Sequence, residues 1–201
     1  MAQRRTELEE HWGRISGPHA NVVWEVGSGH GHFLAAYAQA HSDKLCLGID
    51  IASDRISRAL RKRDRARLKN LHFIRAEARF FLGALPGGIK LSEIFVLFPD
   101  PWPKLRHHKH RILQSDFLHS AADRARDDCR LYFRTDYRPY FEDAQQVIQK
   151  HTDWKLVDEP WPFEFASVFQ TRAPEYHSLI AQRTPQLTSS ISEQSGKTNR
   201  G

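Results

Sequence analysis

Short apolar runs alternate along the chain with longer stretches whose apolar residues have helical spacing. The runs at residues 21–27, 45–49, 71–75, 93–97 and 130–134 each predict a buried β-strand. Apolar residues three and four apart predict helices over 55–69, 112–126 and 139–150, with shorter helices near 33–40 and 79–85. Five repeats of strand and helix predict a mostly parallel α/β sheet with helices on both faces.

The C-terminal part of the chain departs from this alternation. Residues 154–157 predict a sixth strand and residues 165–171 a seventh, which indicates an antiparallel pair at one edge of the sheet. A helical turn or two is expected at 174–181. Residues 1–20 are a polar lead-in, and residues 184–201 are polar without an apolar period, so we expect them to be disordered. The predicted domain therefore spans residues 21–183.

Composition narrows the class of protein. The chain has 201 residues, which suits one domain with a sizeable core. It contains no apolar run of membrane-spanning length, and its charged N-terminus lacks the apolar segment of a signal peptide, so we expect a cytoplasmic protein. Cys46 and Cys129 lie in or beside apolar runs, which favours buried strand thiols over a disulfide or a zinc site.

The positive charge is concentrated in two clusters. The net charge is +6; residues 55–69 hold eight basic residues against one aspartate, and residues 104–111 hold four basic residues and three histidines. Basic surfaces attract phosphate backbones. For residues 55–69 alone, a solvated helix face explains the charge equally well. The second cluster adjoins a candidate site, which favours a nucleic-acid partner.

The sequence F-P-D-P-W-P-K at residues 98–104 follows the fourth predicted strand. Three prolines within five residues exclude a helix or a central strand and predict a stiff, extended loop. The loop carries Asp100, Trp102 and Lys104 at a strand end, where open α/β sheets bind ligands. Two alternatives stay open: the loop is only a Pro-rich turn, and Trp102 stacks on a base or only braces the loop.

A glycine-rich loop links the first strand to the first helix. Gly27, Gly29 and Gly31 allow close approach of a ligand to the backbone, but their spacing departs from G-x-G-x-x-G because position 32 is His32. Glu25 precedes the loop, and a carboxylate there suits an amino group better than a pyrophosphate. A nicotinamide-dependent oxidoreductase is therefore the least favoured class.

Two further acidic residues follow the next strands. Asp50 ends the second strand and can accept hydrogen bonds from both hydroxyls of a ribose. Glu77 follows the third strand and can reach an adenine amino group, although a helix-start residue is an equally good interpretation. Together with the glycine loop, these acids indicate S-adenosylmethionine as cofactor.

The motifs E-V-G-S-G-H-G, G-I-D, F-P-D-P-W-P-K-L-R-H-H-K-H-R and R-T-D-Y together resemble the bacterial tRNA (guanine-N(7)-)-methyltransferases, the TrmB family, over about residues 22–175. The resemblance implies a class I, Rossmann-like methyltransferase fold with seven strands. It also implies methyl transfer from S-adenosylmethionine to the 7-nitrogen of a guanine in the variable loop of tRNA.

Matching motifs assign the site residue by residue. The resemblance implies a cofactor site lined by Glu25, Gly27, Gly29, Gly31, Asp50, Glu77 and Asp100. It implies substrate contacts from Lys104, Asp136, Thr171, Arg172 and Glu175. Residues 171–175 contain one more residue than the family's T-x-x-E element and a proline, which puts Arg172 and Glu175 in question. We expect Arg106, Lys109 and Arg111 to contact RNA phosphates.

The guanine 7-nitrogen carries a lone pair and no proton, so its methylation needs alignment and electrostatic stabilisation rather than a strong base. Asp100 is the expected catalytic carboxylate, because it can accept hydrogen bonds from the guanine ring N–H and amino group. Asp136 shares that role, orients Lys104 or caps the following helix. No metal site is expected, since the cations around His107, His108 and His110 oppose one.

Two other functions stay open at this point. One is a methyltransferase of the same fold acting on another RNA position or a small molecule. The other is a non-catalytic RNA-binding relative. The oligomeric state, monomer or homodimer, does not follow from the sequence.

Overall fold

The computed structural model describes residues 21–165 and 175–185, which form one seven-stranded sheet flanked by helices. The strands are β1 (Asn21–Val26), β2 (Leu45–Asp50), β3 (Leu71–Arg75), β4 (Lys90–Leu97), β5 (Ala125–Thr135), β6 (Trp154–Val157) and β7 (His177–Arg183). The helices are α1 (His32–Ala40), α2 (Ser53–Ala66), α3 (Ala78–Ala84), α4 (Ser115–Arg124) and α5 (Arg138–Gln149), with a short 3-10 helix at Leu105–His110.

The strand order is β3-β2-β1-β4-β5-β7-β6. Strands β1 to β5 are parallel, and β7 is antiparallel to both of its neighbours, β5 and β6. The predicted mostly parallel α/β fold is confirmed. The order reverses between β1 and β4, which opens a crevice beyond the carboxyl ends of these strands.

The first six predicted strands are all present, but two begin earlier than expected. β4 begins at Lys90 and β5 at Ala125. Their pairing shifts register between Leu91 and Glu93. The start of β5 contains charged residues at this irregularity, so it lacks the apolar run by which a strand is predicted. The helix predicted over 112–126 is shorter, α4, because residues 105–114 form the 3-10 helix and a connecting turn.

The helical turn expected at 174–181 is wrong, since His177–Arg183 is strand β7. A short apolar run such as Leu179–Ala181 fits a helix or a strand equally well. Its environment decides the outcome, because β7 has a hydrogen-bonding partner on each side. The seventh strand expected at 165–171 falls, from residue 166 onward, outside the described residues, as do the lead-in at 1–20 and residues 186–201.

The two faces of the sheet bury separate cores. On β1, Val23 points to one face, where it packs with Phe33 of α1 and Ile56 of α2. Val22 and Trp24 point to the other face, against α3, α4 and α5. Both cysteines are buried in strands, as predicted, and burial raises the pKa of the Cys46 thiol to about 12. Of the helices in the described part of the chain, none has the length and apolar character that crossing a bilayer requires.

Candidate functional site

The glycine loop between β1 and α1 has a left-handed backbone at three positions. Gly27, Gly29 and Gly31 have φ angles of 71°, 53° and 67°. A Cβ atom at Gly31 would lie 2.4 Å from the ring of Phe73 and 2.9 Å from the Cβ of Ala59. Gly31 is therefore needed for packing as well as for its conformation, whereas a Cβ at Gly27 or Gly29 would meet open space.

Glu25 lies at the end of β1 and is buried, with 4% of its surface exposed. Its Oε2 atom has no hydrogen-bond partner in the described part of the chain. Burial raises the pKa of the Glu25 carboxyl to about 8; the charge of Asp50 adds to the shift, and a backbone hydrogen bond from Leu34 opposes it. An acceptor that is buried without a partner is costly, so this carboxyl is suited to a cationic ligand.

Asp50 ends β2 and is also buried, with both carboxylate oxygens anchored by the backbone. Oδ2 accepts a hydrogen bond from the amide of Gly29 at 3.0 Å, and Oδ1 accepts one from Ala52 at 2.8 Å. The guanidinium of Arg55 lies 3.5 Å from Oδ2. These contacts fix the carboxylate beside the glycine loop, and each oxygen keeps a lone pair for a further donor.

Glu77 caps the N-terminus of α3. Its Oε2 accepts a hydrogen bond from the amide of Phe80 at 2.9 Å. The helix-start role weighed for this residue is therefore observed. The same side chain lines the cavity at the sheet edge, so the cap also places a carboxylate there.

One cavity beyond the carboxyl ends of the strands brings together three of the predicted carboxylates. Asp50 follows β2, Glu77 follows β3 and Asp100 follows β4, and all three line it. Ile51 also lines this cavity and was missed by the sequence analysis, although 69% of its surface is exposed. A single exposed apolar residue directly after a strand-ending aspartate was the signal that could have identified it.

The loop at residues 98–104 contains two strained backbone positions. Phe98 and Trp102 adopt φ angles of 48° and 45°, which are uncommon for bulky residues. Phe98 is held because its amide donates to the carbonyl oxygen of Arg134 at 2.8 Å. Such strain persists only where the surroundings enforce it, and it is concentrated at functional sites.

Arg111 supplies much of that enforcement. Its side chain is 1% exposed, its Nε donates to the carbonyl oxygen of Pro101 at 2.9 Å, and its Nη2 lies 3.4 Å from the carbonyl oxygen of Trp102. The guanidinium also pairs with Asp143 and lies 4.8 Å from the ring centre of Tyr140. The predicted phosphate contact at Arg111 is corrected here, because a buried and fully engaged guanidinium offers no surface to a phosphate.

The other cations predicted to contact RNA remain at the surface. Lys104, Arg106 and Lys109 are exposed around the 3-10 helix. The ring of Trp102 packs against His107 and His110, with centroid distances of 5.8 Å and 5.1 Å. This packing favours the bracing interpretation of Trp102. Among the described residues, no three His, Cys, Asp or Glu side chains form a group that could hold a metal ion.

Asp136 follows β5 and is exposed. It does not cap α5, whose N-cap is Tyr137, and the amide of Tyr137 donates to Thr135 Oγ1 at 3.2 Å. Neither a hydrogen bond nor an ion pair of its carboxylate is found within residues 21–165 and 175–185. Asp136 is thus available to a ligand at the same sheet edge as Asp100.

Arg134, at the end of β5, was not singled out from the sequence. Its guanidinium makes two hydrogen bonds to Glu164, at 2.9 and 2.6 Å, and lies 3.8 Å from the ring centre of Trp161 and 4.8 Å from that of Tyr176. This cluster fixes the chain on both sides of residues 166–174. Glu175 is exposed next to Tyr176, whereas the predicted residues Thr171 and Arg172 lie outside the described residues.

Residues 19–182 match the model of a protein family described as "Putative methyltransferase". The chain is 32% identical over 147 residues to the tRNA (guanine-N(7)-)-methyltransferase of Thermotoga maritima, covering 73% of this chain and 47% of that protein. It is 31% identical over 159 residues to the enzyme of the same name from Thermosynechococcus vestitus, covering 75% and 74%. The chain thus spans between about half and three quarters of the length of these relatives.

Solved structures share the fold. A mutant of the 16S rRNA (adenine(1408)-N(1))-methyltransferase from Catenulisporales acidiphilia, with cosubstrate SAM, superposes with a TM-score of 0.60 at 19% identity, covering 89% of this chain and 92% of that one. TrmN from Thermus thermophilus superposes with a TM-score of 0.59 at 16% identity, covering 87% and 47%. At these identities the likeness supports the methyltransferase fold.

Proposed function

Because this chain belongs to the tRNA (guanine-N(7)-)-methyltransferase family, we propose that it transfers a methyl group from S-adenosylmethionine to the 7-nitrogen of a guanine in the variable loop of tRNA. The reaction belongs to the cytoplasm, where tRNA is used. The relatives are named tRNA (guanine-N(7)-)-methyltransferases, and the acidic residues around the cavity of this chain support the same reaction.

The observation that carries the proposal is the convergence of carboxylates on one cavity. Asp50, Glu77 and Asp100 come from three strands and line it together, beyond the switch in strand order where such folds bind ligands. Glu77 has a structural role as a helix cap, but exposed Asp100 has none among the described residues. A ligand with a ribose and an adenine gives Asp50 and Glu77 a partner, and Asp100 is left for the base that receives the methyl group.

S-adenosylmethionine fits the residues present. The unpartnered Oε2 of Glu25 is a buried acceptor for the amino group of the cofactor. The anchored carboxylate of Asp50 is placed for the ribose hydroxyls, and Glu77 and Ile51 line the part of the cavity left for the adenine. When bound, the cofactor supplies an electrophilic methyl group on a sulfonium.

The chain's own residues hold the guanine. The 7-nitrogen has no proton to lose, so the work of the protein is alignment and charge stabilisation. Asp100, exposed at the tip of the strained loop, accepts hydrogen bonds from the ring N–H and the amino group of the base. As positive charge develops on the guanine, this carboxylate stabilises it. Asp136 and Lys104 flank the same edge and orient the base.

Exposed cations near the pocket bind the backbone of the RNA. Arg106 and Lys109 on the 3-10 helix are exposed and contact phosphates, although Arg106 Nε also donates to His107, and such contacts give affinity without sequence selection. Arg111 instead holds the loop that carries Asp100. Positioning of the loop and binding of the RNA are thereby assigned to different residues of the same short segment.

The test is a product analysis. Purified protein is incubated with unmodified tRNA transcripts and methyl-labelled S-adenosylmethionine, the RNA is digested, and the labelled nucleoside is identified. We expect 7-methylguanosine, and far less of it from the Asp100→Asn variant in the same time. Asp43→Asn is the matched control, because this exposed aspartate lies in the turn before β2, at the opposite edge of the sheet.

Another labelled nucleoside would redirect the proposal to a methyltransferase of the same fold with a different RNA target. If no label is incorporated but S-adenosylmethionine binds normally, the proposed cofactor site stands and the proposed RNA substrate is wrong. Absence of both would favour a non-catalytic RNA-binding protein.

A further inference from the structure

The basic residues of α2 are arranged in a stripe and not evenly around the helix. The helix contains six basic residues and two aspartates. Ile56 and Ala59 are its buried positions and face the sheet. Arg58, Arg61 and Arg65 recur at spacings of three and four, which places them on one solvent-exposed face.

This stripe starts at the candidate site. Arg55 lines the cavity and lies 3.5 Å from Asp50, and the exposed arginines follow it along the helix. From Arg55 to Arg65 the axis advances by about 15 Å, at 1.5 Å per residue. The stripe is therefore a continuous cationic track that leads away from the mouth of the pocket.

Acidic side chains do not neutralise the track. Asp54 and Asp64 lie one turn away from Arg58 and Arg61, but Asp64 pairs with Arg63 instead. Within residues 21–165 and 175–185, neither a salt bridge nor a side-chain hydrogen bond to an acid is found for Arg58, Arg61 or Arg65. The face therefore keeps an excess of positive charge that is not paired with acids, which a polyanion can neutralise.

Lys62 provides a second observation on the same face. Its ammonium nitrogen is shielded from water and has no hydrogen-bond partner in the described part of the chain. Partial burial and the neighbouring charge of Arg65 lower the pKa of Lys62. A shielded cation beside other cations is unfavourable by itself, and an anion bound to this face would relieve it.

We propose that Arg58, Arg61 and Arg65 of α2 bind successive phosphates of the RNA whose guanine enters the pocket. This inference rests on the proposed function, since it assigns a second contact surface to the same substrate. Among polyanions, an RNA backbone fits best because the track is long, narrow and continuous with the pocket. The surface contributes affinity and orientation, and the chemistry takes place at the loop carrying Asp100.

The track is tested with the triple variant Arg58→Gln/Arg61→Gln/Arg65→Gln. Glutamine favours helices nearly as well as arginine does, and the three positions are exposed, so the fold is retained. The matched control is Lys90→Gln/Lys150→Gln/Lys155→Gln. These three exposed lysines lie on β4, after α5 and on the edge strand β6, and their replacement removes the same charge.

Affinity for unmodified tRNA transcript is measured for the wild type and both variants from 50 to 300 mM salt. Three lost phosphate contacts reduce the slope of log affinity against log salt by about 2, and weaken binding roughly 10- to 50-fold at physiological salt. The control keeps the wild-type slope. Affinity for S-adenosylmethionine and kcat at saturating tRNA stay unchanged in the triple variant.

If the triple variant binds tRNA with the wild-type affinity and salt slope, the proposed phosphate contacts on α2 are wrong. The proposed function still stands in that case, provided that the wild type methylates tRNA. An equal loss in the control variant also overturns it, because the effect then reflects net charge and not this surface. A wild-type protein that binds no tRNA at all overturns both proposals.

Discussion

The guanidinium of Arg111 is hydrogen-bonded to the carbonyl oxygen of Pro101, the residue that follows Asp100. A second carbonyl, that of Trp102, lies 3.4 Å from the same side chain, and Trp102 has one of the two strained backbones of the loop. The burial of Arg111 is thus coupled to the position of the proposed catalytic carboxylate. Arg111 adjoins the basic residues of 104–109 in sequence, but its contacts make it a positioning residue for the loop.

Arg111→Lys is expected to lower kcat by roughly 10- to 100-fold, since a small displacement of Asp100 has a large effect on an aligned reaction. Lysine keeps the positive charge but cannot reproduce the fork that contacts two carbonyls and Asp143. Steady-state kinetics with tRNA as the varied substrate separates kcat from KM.

The control for this change is Arg126→Lys, at a partly exposed arginine that pairs with Asp128 at the start of β5. It should leave both kinetic constants near their wild-type values. If Arg111→Lys kept kcat and raised only the KM for tRNA in a salt-dependent way, Arg111 would be a phosphate contact after all.

Gly31→Ala should destabilise the protein more than Gly29→Ala. Both residues have left-handed backbones, which costs an alanine about 1–2 kcal/mol. At Gly31 the added methyl group also overlaps the ring of Phe73, and overpacking adds about 1–3 kcal/mol. Urea denaturation of the two variants measures the difference. Equal losses of unfolding free energy would show that Phe73 moves aside.

The sheet was predictable because each parallel strand is a short apolar run between helical stretches, and because motif loops follow the strands. Strand β7 was not, since the run at Leu179–Ala181 fits either element until its neighbours are known. The sequence alone does not show which strands pair with β7.

The meeting of Asp50 and Asp100 at one cavity was predictable because each follows a parallel strand, and the carboxyl ends of such strands lie at one edge of the sheet. The site was not predictable where the partner of a residue is distant in sequence. Arg111 follows a basic run in sequence, but it is buried and pairs with Asp143, 32 residues later. Arg134 is likewise held by Glu164, 30 residues later. Charge along the chain therefore indicates how many cations there are, and only the fold indicates which of them are free.

Asp100→Asn is expected to reduce kcat by about 100-fold or more, because an amide cannot stabilise the charge that develops on the guanine. Affinity for S-adenosylmethionine should fall much less than kcat, because Glu25 and Asp50 remain although Asp100 also lines the cavity. The measurements are single-turnover methylation of tRNA and a cofactor titration. A variant with normal turnover would remove Asp100 from the mechanism and direct attention to Asp136.

The stability of the ligand-free protein is expected to fall as pH rises from about 5 to about 8. Burial raises the pKa of Glu25 from 4.5 to about 8, so across this window the native state holds one proton more than the unfolded state. The contribution is complete below the unfolded pKa and is lost as pH passes through the folded pKa, at about 1.4 kcal/mol per pH unit. Urea denaturation at several pH values measures this slope, and Glu25→Gln should flatten it. An unchanged slope in the variant would assign the pH dependence to another group.

Binding of S-adenosylmethionine is expected to release a proton from Glu25. In the free protein at pH 7 this carboxyl is protonated, since its pKa is about 8. The cationic amino group of the cofactor requires the carboxylate form, so affinity should rise by up to about tenfold per pH unit between pH 6 and 8. Calorimetry in two buffers with different ionisation enthalpies counts the released proton directly. Glu25→Gln should bind more weakly, with no proton release and a flat pH profile. Tight binding by the wild type without proton release would mean either that Glu25 is already ionised in the free protein or that another group meets the charge of the cofactor.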